Sequence, residues 1–198
     1  MPMRPTRSRS APRALLAAAM AVTALVVAPP ASADAPAGDP EVAAYEVEFL
    51  TMMIDHHQMA VHMSELCLER AVHDKLLRLC ERIMETQAEE IALMQGWLRD
   101  WYGIEHEPSM DDPAHHEQMM MLEELWGEAF EAAFLAMMIS HHAMAVEDGS
   151  ECVATAEHRE LRTLCRRIVA SQQREIMQMR MWLCRWHGEC DGAYRRSA

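Results

Sequence analysis

Basic residues are scarce in this 198-residue chain: Lys and Arg number 18 against 31 Asp and Glu, a formal net charge of −13. Phosphate binding needs a surface of the opposite sign, so a nucleic-acid partner is excluded. An acidic surface attracts cations weakly and keeps a protein soluble, and neither reading is specific. Glycine is sparse, at seven residues, and forms no phosphate-cradling loop. No Ser/His/Asp order, nucleophilic thiol or Cys-x-x-Cys pair offers acyl-transfer or thiol chemistry.

The N-terminus differs from the rest. Arg4, Arg7, Arg9 and Arg13 precede an apolar run from Ala14 to Ala28, and Ala31-Ser32-Ala33 has the small residues of a cleavage site. This pattern predicts a secretory signal peptide over 1–33, too short in its apolar core for a membrane anchor. Cleavage after Ala33 leaves residues 34–198 as one domain with a net charge of −17, since four of the 18 basic residues depart. No later segment reads as apolar enough to span a bilayer, which predicts a secreted or cell-envelope protein that is not membrane-embedded.

All six cysteines fall in the exported part, where disulfides form more readily than metal thiolates. Cys67 and Cys80 recur as Cys152 and Cys165 at the same spacing, and Cys184 and Cys190 make a third pair. The recurrence extends well beyond cysteine. Phe49–Gly103 aligns with Phe134–Gly188 without a gap, and 26 of the 55 paired positions are identical. Two copies predict a pseudo-symmetric domain and no solenoid. Repeat 1 occupies about 41–103, a linker about 104–124 and repeat 2 about 125–188.

Each copy reads as a helical hairpin. Val42, Tyr45, Phe49, Met52, Met53, His56, Met59, Ala60, Met63, Leu66 and Cys67 are spaced by threes, fours and ones, with no alternation of two. Asp39-Pro40 is a helix start signal, and Gly103 ends the second arm. Neither hairpin can cover its own apolar stripe, so the two pack together as an all-α, four-helix bundle. The linker holds Pro108 and Pro113 and one short helix starting at Asp112-Pro113. It is long enough to cross the bundle, which predicts a ferritin-like arrangement.

The duplicated stretches MMIDHHQMAV and MMISHHAMAV hold the unusual chemistry. Adjacent helical residues diverge by about 100°, so His56 and His57 have different tasks. Counting eleven residues from each cysteine of the Cys67–Cys80 pair places His56 level with Glu90, and the same count places His141 level with Glu175. Two histidines and two glutamates are then expected to converge at mid-bundle, ringed by Met52, Met59, Met94, Met137, Met144 and Met179. They are either metal ligands or hydrogen-bonded tethers, with Gln87 and Gln172 completing the network. Met53, Met84 and Met138 read as core filler. Core filling does not account for Met110, Met119, Met120 and Met121 beside His106, His115 and His116 in the linker region. Thioether plus imidazole is a soft ligand set, suited to Cu(I) and Ag(I). His62 has no counterpart, Glu147 standing in its place, and reads as a surface residue. His73 and His158 read as packing or hydrogen-bonding groups at helix starts, and Trp97, Trp101, Trp182 and Trp186 as bundle-end packing.

FLTMMIDHHQMAV with LCERIMETQAEEIALMQGWL, and FLAMMISHHAMAV with LCRRIVASQQREIMQMRMWL, resemble the secreted family catalogued as domain of unknown function 305. The resemblance covers nearly all of residues 34–198 and implies a ferritin-like fold. It also implies periplasmic copper binding of the CopM type, with Met52, Met53, His56, His57, Met59, Met94, Met137, Met138, His141, His142, Met144 and Met179 at the matching positions. A di-iron enzyme of this architecture needs Glu-x-x-His on a helix; Leu93 and Gln178 stand where that histidine belongs. The expectation is therefore a noncatalytic, exported protein that binds copper as Cu(I), or another transition metal, for sequestration, tolerance or delivery. The alternatives are a structural or interaction bundle that needs no metal, and a metal-dependent redox enzyme using the His/Glu centre.

Overall fold

The structure is a computed structural model that describes residues 35–110 and 113–190, the side chains of 113–115 excepted. All of these fall in one compact unit, Ala31–Ala198. The expected signal peptide lies outside the described residues.

Five helices follow in order: α1 Pro40–Arg70, α2 Asp74–Tyr102, α3 Pro113–Glu123, α4 Gly127–Thr155 and α5 Arg159–His187. Local chemistry sets several of their ends. The Asp39 side chain accepts from the Glu41 amide at 2.8 Å, capping α1 ahead of Pro40 at the first helical position. Gly103 and Gly188 close α2 and α5 in the left-handed conformation at φ 66° and 74°, where a Cβ would be strained. Disulfides Cys67–Cys80 and Cys152–Cys165 clip each hairpin near its turn, with Cα atoms 6.3 and 6.2 Å apart. Cys184–Cys190 ties down the segment after α5. All three pairings agree with the sequence expectation.

The hairpins α1–α2 and α4–α5 meet mainly through α1 and α4, which run antiparallel. Glu46 near the start of α1 reaches the start of α5, whereas Glu131 near the start of α4 reaches the start of α2. Hence α2 ends at one pole of the bundle and α4 begins at the other. The linker must travel the full helix length, about 44 Å for 29 residues. This is the expected crossover, with α3 lying along the way.

Two apolar cores fill the bundle, one at each pole. Met63, Leu76, Leu79, Ile83, Phe130, Phe134 and Met138 are among the residues of one; Phe49, Leu50, Ile54, Leu98, Trp101, Leu161 and Ile168 are among those of the other. One expectation is corrected here. Helix α4 is long and apolar enough, by length and composition, to cross a membrane. It packs against α1 and α5, with Phe130, Phe134, Leu135 and Met138 fully buried.

The linker docks on α1. Asp55 accepts from the His106 imidazole at 2.7 Å and the Ser109 amide at 2.8 Å, and Gln95 donates to the His106 carbonyl. Beyond α3, the Arg70 guanidinium donates to the carbonyls of Leu122, Glu123 and Leu125, with its plane over Trp126. Met119 and Leu122 of α3 enter the core between these anchors.

Candidate functional site

The duplicated histidines lie between the two apolar cores, where α1 meets α4. His56 and His141 stack face to face across the pseudo-twofold axis, with ring centroids 3.6 Å apart. The following residues turn about 100° away, toward the second arm of their own hairpin. His57 Nε2 donates to Glu90 Oε2 at 2.9 Å, and His142 Nε2 donates to Glu175 Oε2 at 2.8 Å. This corrects the expected pairing of His56 with Glu90 and of His141 with Glu175. Counting from the disulfide gives the level along the helix to within one residue, about 1.5 Å. Azimuth decides the partner, and it favours the next histidine.

A second correction follows. Among the described residues, no group of three or more His, Cys, Asp or Glu is placed to hold one ion. The two glutamates engage separate histidines on separate hairpins and do not converge with the stacked pair.

The layer is strongly desolvated. His57 and His142 are fully buried, and His141 is 2% exposed. Burial holds the His141 imidazole well below its ordinary pKa, and repulsion from His56, His142 and His57 adds to this. Its Nε2 donates to the His56 carbonyl at 3.0 Å, so the lone pair of the neutral ring sits on Nδ1. In His57 and His142, too, Nε2 is the donor, so Nδ1 is the ring nitrogen left over. None of these three buried Nδ1 atoms has a hydrogen-bond partner, a cost of about 1–3 kcal/mol each. The buried Oε1 atoms of Gln87 and Gln172 are in the same position.

Thioethers lie nearby. Met53 and Met138 precede His57 and His142 by one helical turn and are fully buried, and Met94 and Met179 follow Glu90 and Glu175 by one turn and are also fully buried. The remaining expected residues diverge. Met52 and Met144 are exposed, at 37% and 46%. Met137 is half-buried, and Met59 is buried against the α3 side.

Sequence reasoning missed the end caps. Glu46, fully buried, accepts from the amides of Glu157 and His158, from His158 Nδ1 at 2.5 Å and from the Tyr102 hydroxyl at 2.6 Å. Burial raises its pKa, but the bonds from Tyr102, the His158 amide and ring, and the Glu157 amide outweigh that and leave it below the ordinary value. Glu131 repeats the device on the amides of Val72 and His73 and on His73 Nδ1. Trp101 stacks on His158 at 3.8 Å and Trp186 on His73 at 4.1 Å. Each first arm thus caps the other hairpin's second arm. The readable signal was a glutamate recurring 85 residues apart on the apolar stripe, three positions before Phe49 and Phe134. His73 and His158 do hydrogen-bond at helix starts, as expected.

Comparison with known proteins now bears on this geometry. The sequence profile of the domain of unknown function DUF305 matches residues 46–183. CopM in its Cu(I)-bound form is similar at 32% identity over 71% of this chain and 96% of CopM, with a TM-score of 0.64. CopM in its Cu(II)-bound form is similar at 30% identity, 71% and 97% coverage and a TM-score of 0.65. A DUF305 protein from Streptomyces coelicolor, described as a candidate secreted protein, matches at 29% identity, 74% and 96% coverage and a TM-score of 0.64. No curated protein matches this chain.

Proposed function

Because the chain belongs to the DUF305 family, we propose that it is an exported soft-metal-binding protein that takes copper as Cu(I) for sequestration, tolerance or delivery, without turnover. The observation that carries this reading is the set of partnerless buried Nδ1 atoms of His57, His141 and His142 on a layer flanked by Met53, Met94, Met138 and Met179. Imidazole and thioether are the donors Cu(I) prefers, and coordination would relieve the cost of the unsatisfied nitrogens. The Glu90 and Glu175 carboxylates fix the ring tautomers, as partners of metal-bound histidines do. CopM structures bearing Cu(I), Cu(II) and silver support the same chemistry, and three disulfides with a family relative described as secreted support export.

A competition titration of Cu(I) against a chromogenic chelator tests this. The folded protein is expected to withdraw the metal, and Met94→Leu with Met179→Leu, which preserves volume, weakens uptake. A second reading has its own support: the hydrogen bonds His57–Glu90 and His142–Glu175 join the arms of each hairpin. If they are only tethers, the Met94→Leu, Met179→Leu variant withdraws Cu(I) from the chelator no less than the parent protein.

A further inference from the structure

The linker helix roofs a cavity that the histidine layer does not use. About 440 Å³ in volume, it is lined by Met59, His62, Met110, His116, Met119, Met120 and Glu123. Four thioethers and two imidazoles thus face one space with a single carboxylate. Hard cations such as Mg²⁺ and Ca²⁺ require several oxygen ligands, which this lining does not offer. His62, expected at the surface, is half-buried, and its buried Nδ1 has no hydrogen-bond partner. Met110 and Met120 are 37% and 54% exposed, so core packing does not account for them.

The two copies differ where this roof attaches. Asp55, His62, Met63 and Arg70 in the first copy correspond to Ser140, Glu147, Asp148 and Thr155 in the second. The first copy therefore has the Asp55 anchor before the cavity, the Arg70 anchor after it and the His62 imidazole within it. The second has none of the three. Three of the positions at which the copies differ thus serve the attachment of α3 or line the cavity, while the His/Glu layer is preserved, and this is what a site built on one copy requires.

We propose that the cavity between α1 and α3 is a separate site for a soft monovalent cation, Cu(I) or Ag(I), with Met59, His62, His116, Met119 and Met120 as its donors. It shares its chemistry with the histidine layer but uses different residues, so either site can fail alone. The full chain, labelled with ¹³C at its methionine methyls, is titrated with Ag(I). The methyl signals of Met59, Met119 and Met120 are expected to shift. His116→Gln with Met120→Leu changes only exposed side chains, which preserves folding, and it is expected to weaken Ag(I) binding at these methyls at least ~10-fold. Signals from Met94 and Met179 then titrate as before. The proposal is overturned if the α3 methyls stay still while Met94 and Met179 respond, a result that leaves the central reading standing. It is equally overturned if no methionine responds, or if the double variant binds at the α3 methyls as tightly as the parent.

Discussion

The same helical segment occurs twice in this molecule and meets two different environments. On α1 the outer face beyond His56 is covered: Met59 is 1% exposed, Met63 is fully buried, and α3 packs over them. On α4 the equivalent Met144 is 46% exposed and Asp148 replaces the second methionine. Burial pushes the Asp148 carboxyl up, and the neighbouring Glu147 and Glu151 charges push it further. Inside, the copies remain nearly identical, with matched His–Glu bonds of 2.9 and 2.8 Å and matched end caps. The interior must satisfy both halves at once across the α1–α4 contact, which keeps it symmetric. The exterior is bound only by what covers it, and there is one linker to share between two faces.

The comparison can be broken most forcefully at the caps. Glu46→Ala and Glu131→Ala each strand two backbone amides and an imidazole, and Glu46→Ala the Tyr102 hydroxyl as well; each is expected to cost about 3–5 kcal/mol in urea unfolding. Similar losses from both affirm the inner symmetry; a silent Glu131→Ala breaks it. Next comes the outer face. Met59→Ala should cost about 2–4 kcal/mol, whereas Met144→Ala should stay within about 0.5 kcal/mol, as read by thermal melts of the pair. Arg70→Ala removes the guanidinium that holds the end of α3, and about 1–2 kcal/mol of stability should go with it. Amide exchange in Met119–Glu123 should quicken, while Thr155→Ala changes neither.

The smallest effect is on pH. The folded state holds Glu46 below its ordinary value of 4.5, so the unfolded chain takes the proton first as the solution is acidified. Its stabilisation is complete above that value and is lost as pH falls through the folded value. Glu46→Gln should therefore flatten the acid limb of stability against pH, and an unchanged limb would assign it to other carboxylates.

Much of this was legible beforehand because it rests on spacing. The gapless repeat, the thirteen-residue cysteine intervals and the three-four periodicity specify two clipped hairpins, and the crossover follows from linker length. The histidine partner was misplaced by one position because axial counting carries no azimuth. Glu46 and Glu131 escaped notice because a carboxylate is ordinarily solvated; burial becomes tolerable only when amides from another hairpin arrive. His62 read as surface because nothing in α1 announces that a segment more than fifty residues further along will cover it.

The sequence by itself determined that four long amphipathic helices would pair in two disulfide-clipped hairpins, with imidazole and thioether groups at their middles. Local periodicity and covalent closure are properties of a single segment, so they can be read from one. Only the tertiary structure decided that His56 meets His141 and His57 meets Glu90, that each hairpin is capped by the other's glutamate, and that α3 covers one copy alone. Those outcomes depend on the rotation and offset of helices brought together from distant parts of the chain, and these emerge when the two halves bury their stripes against each other.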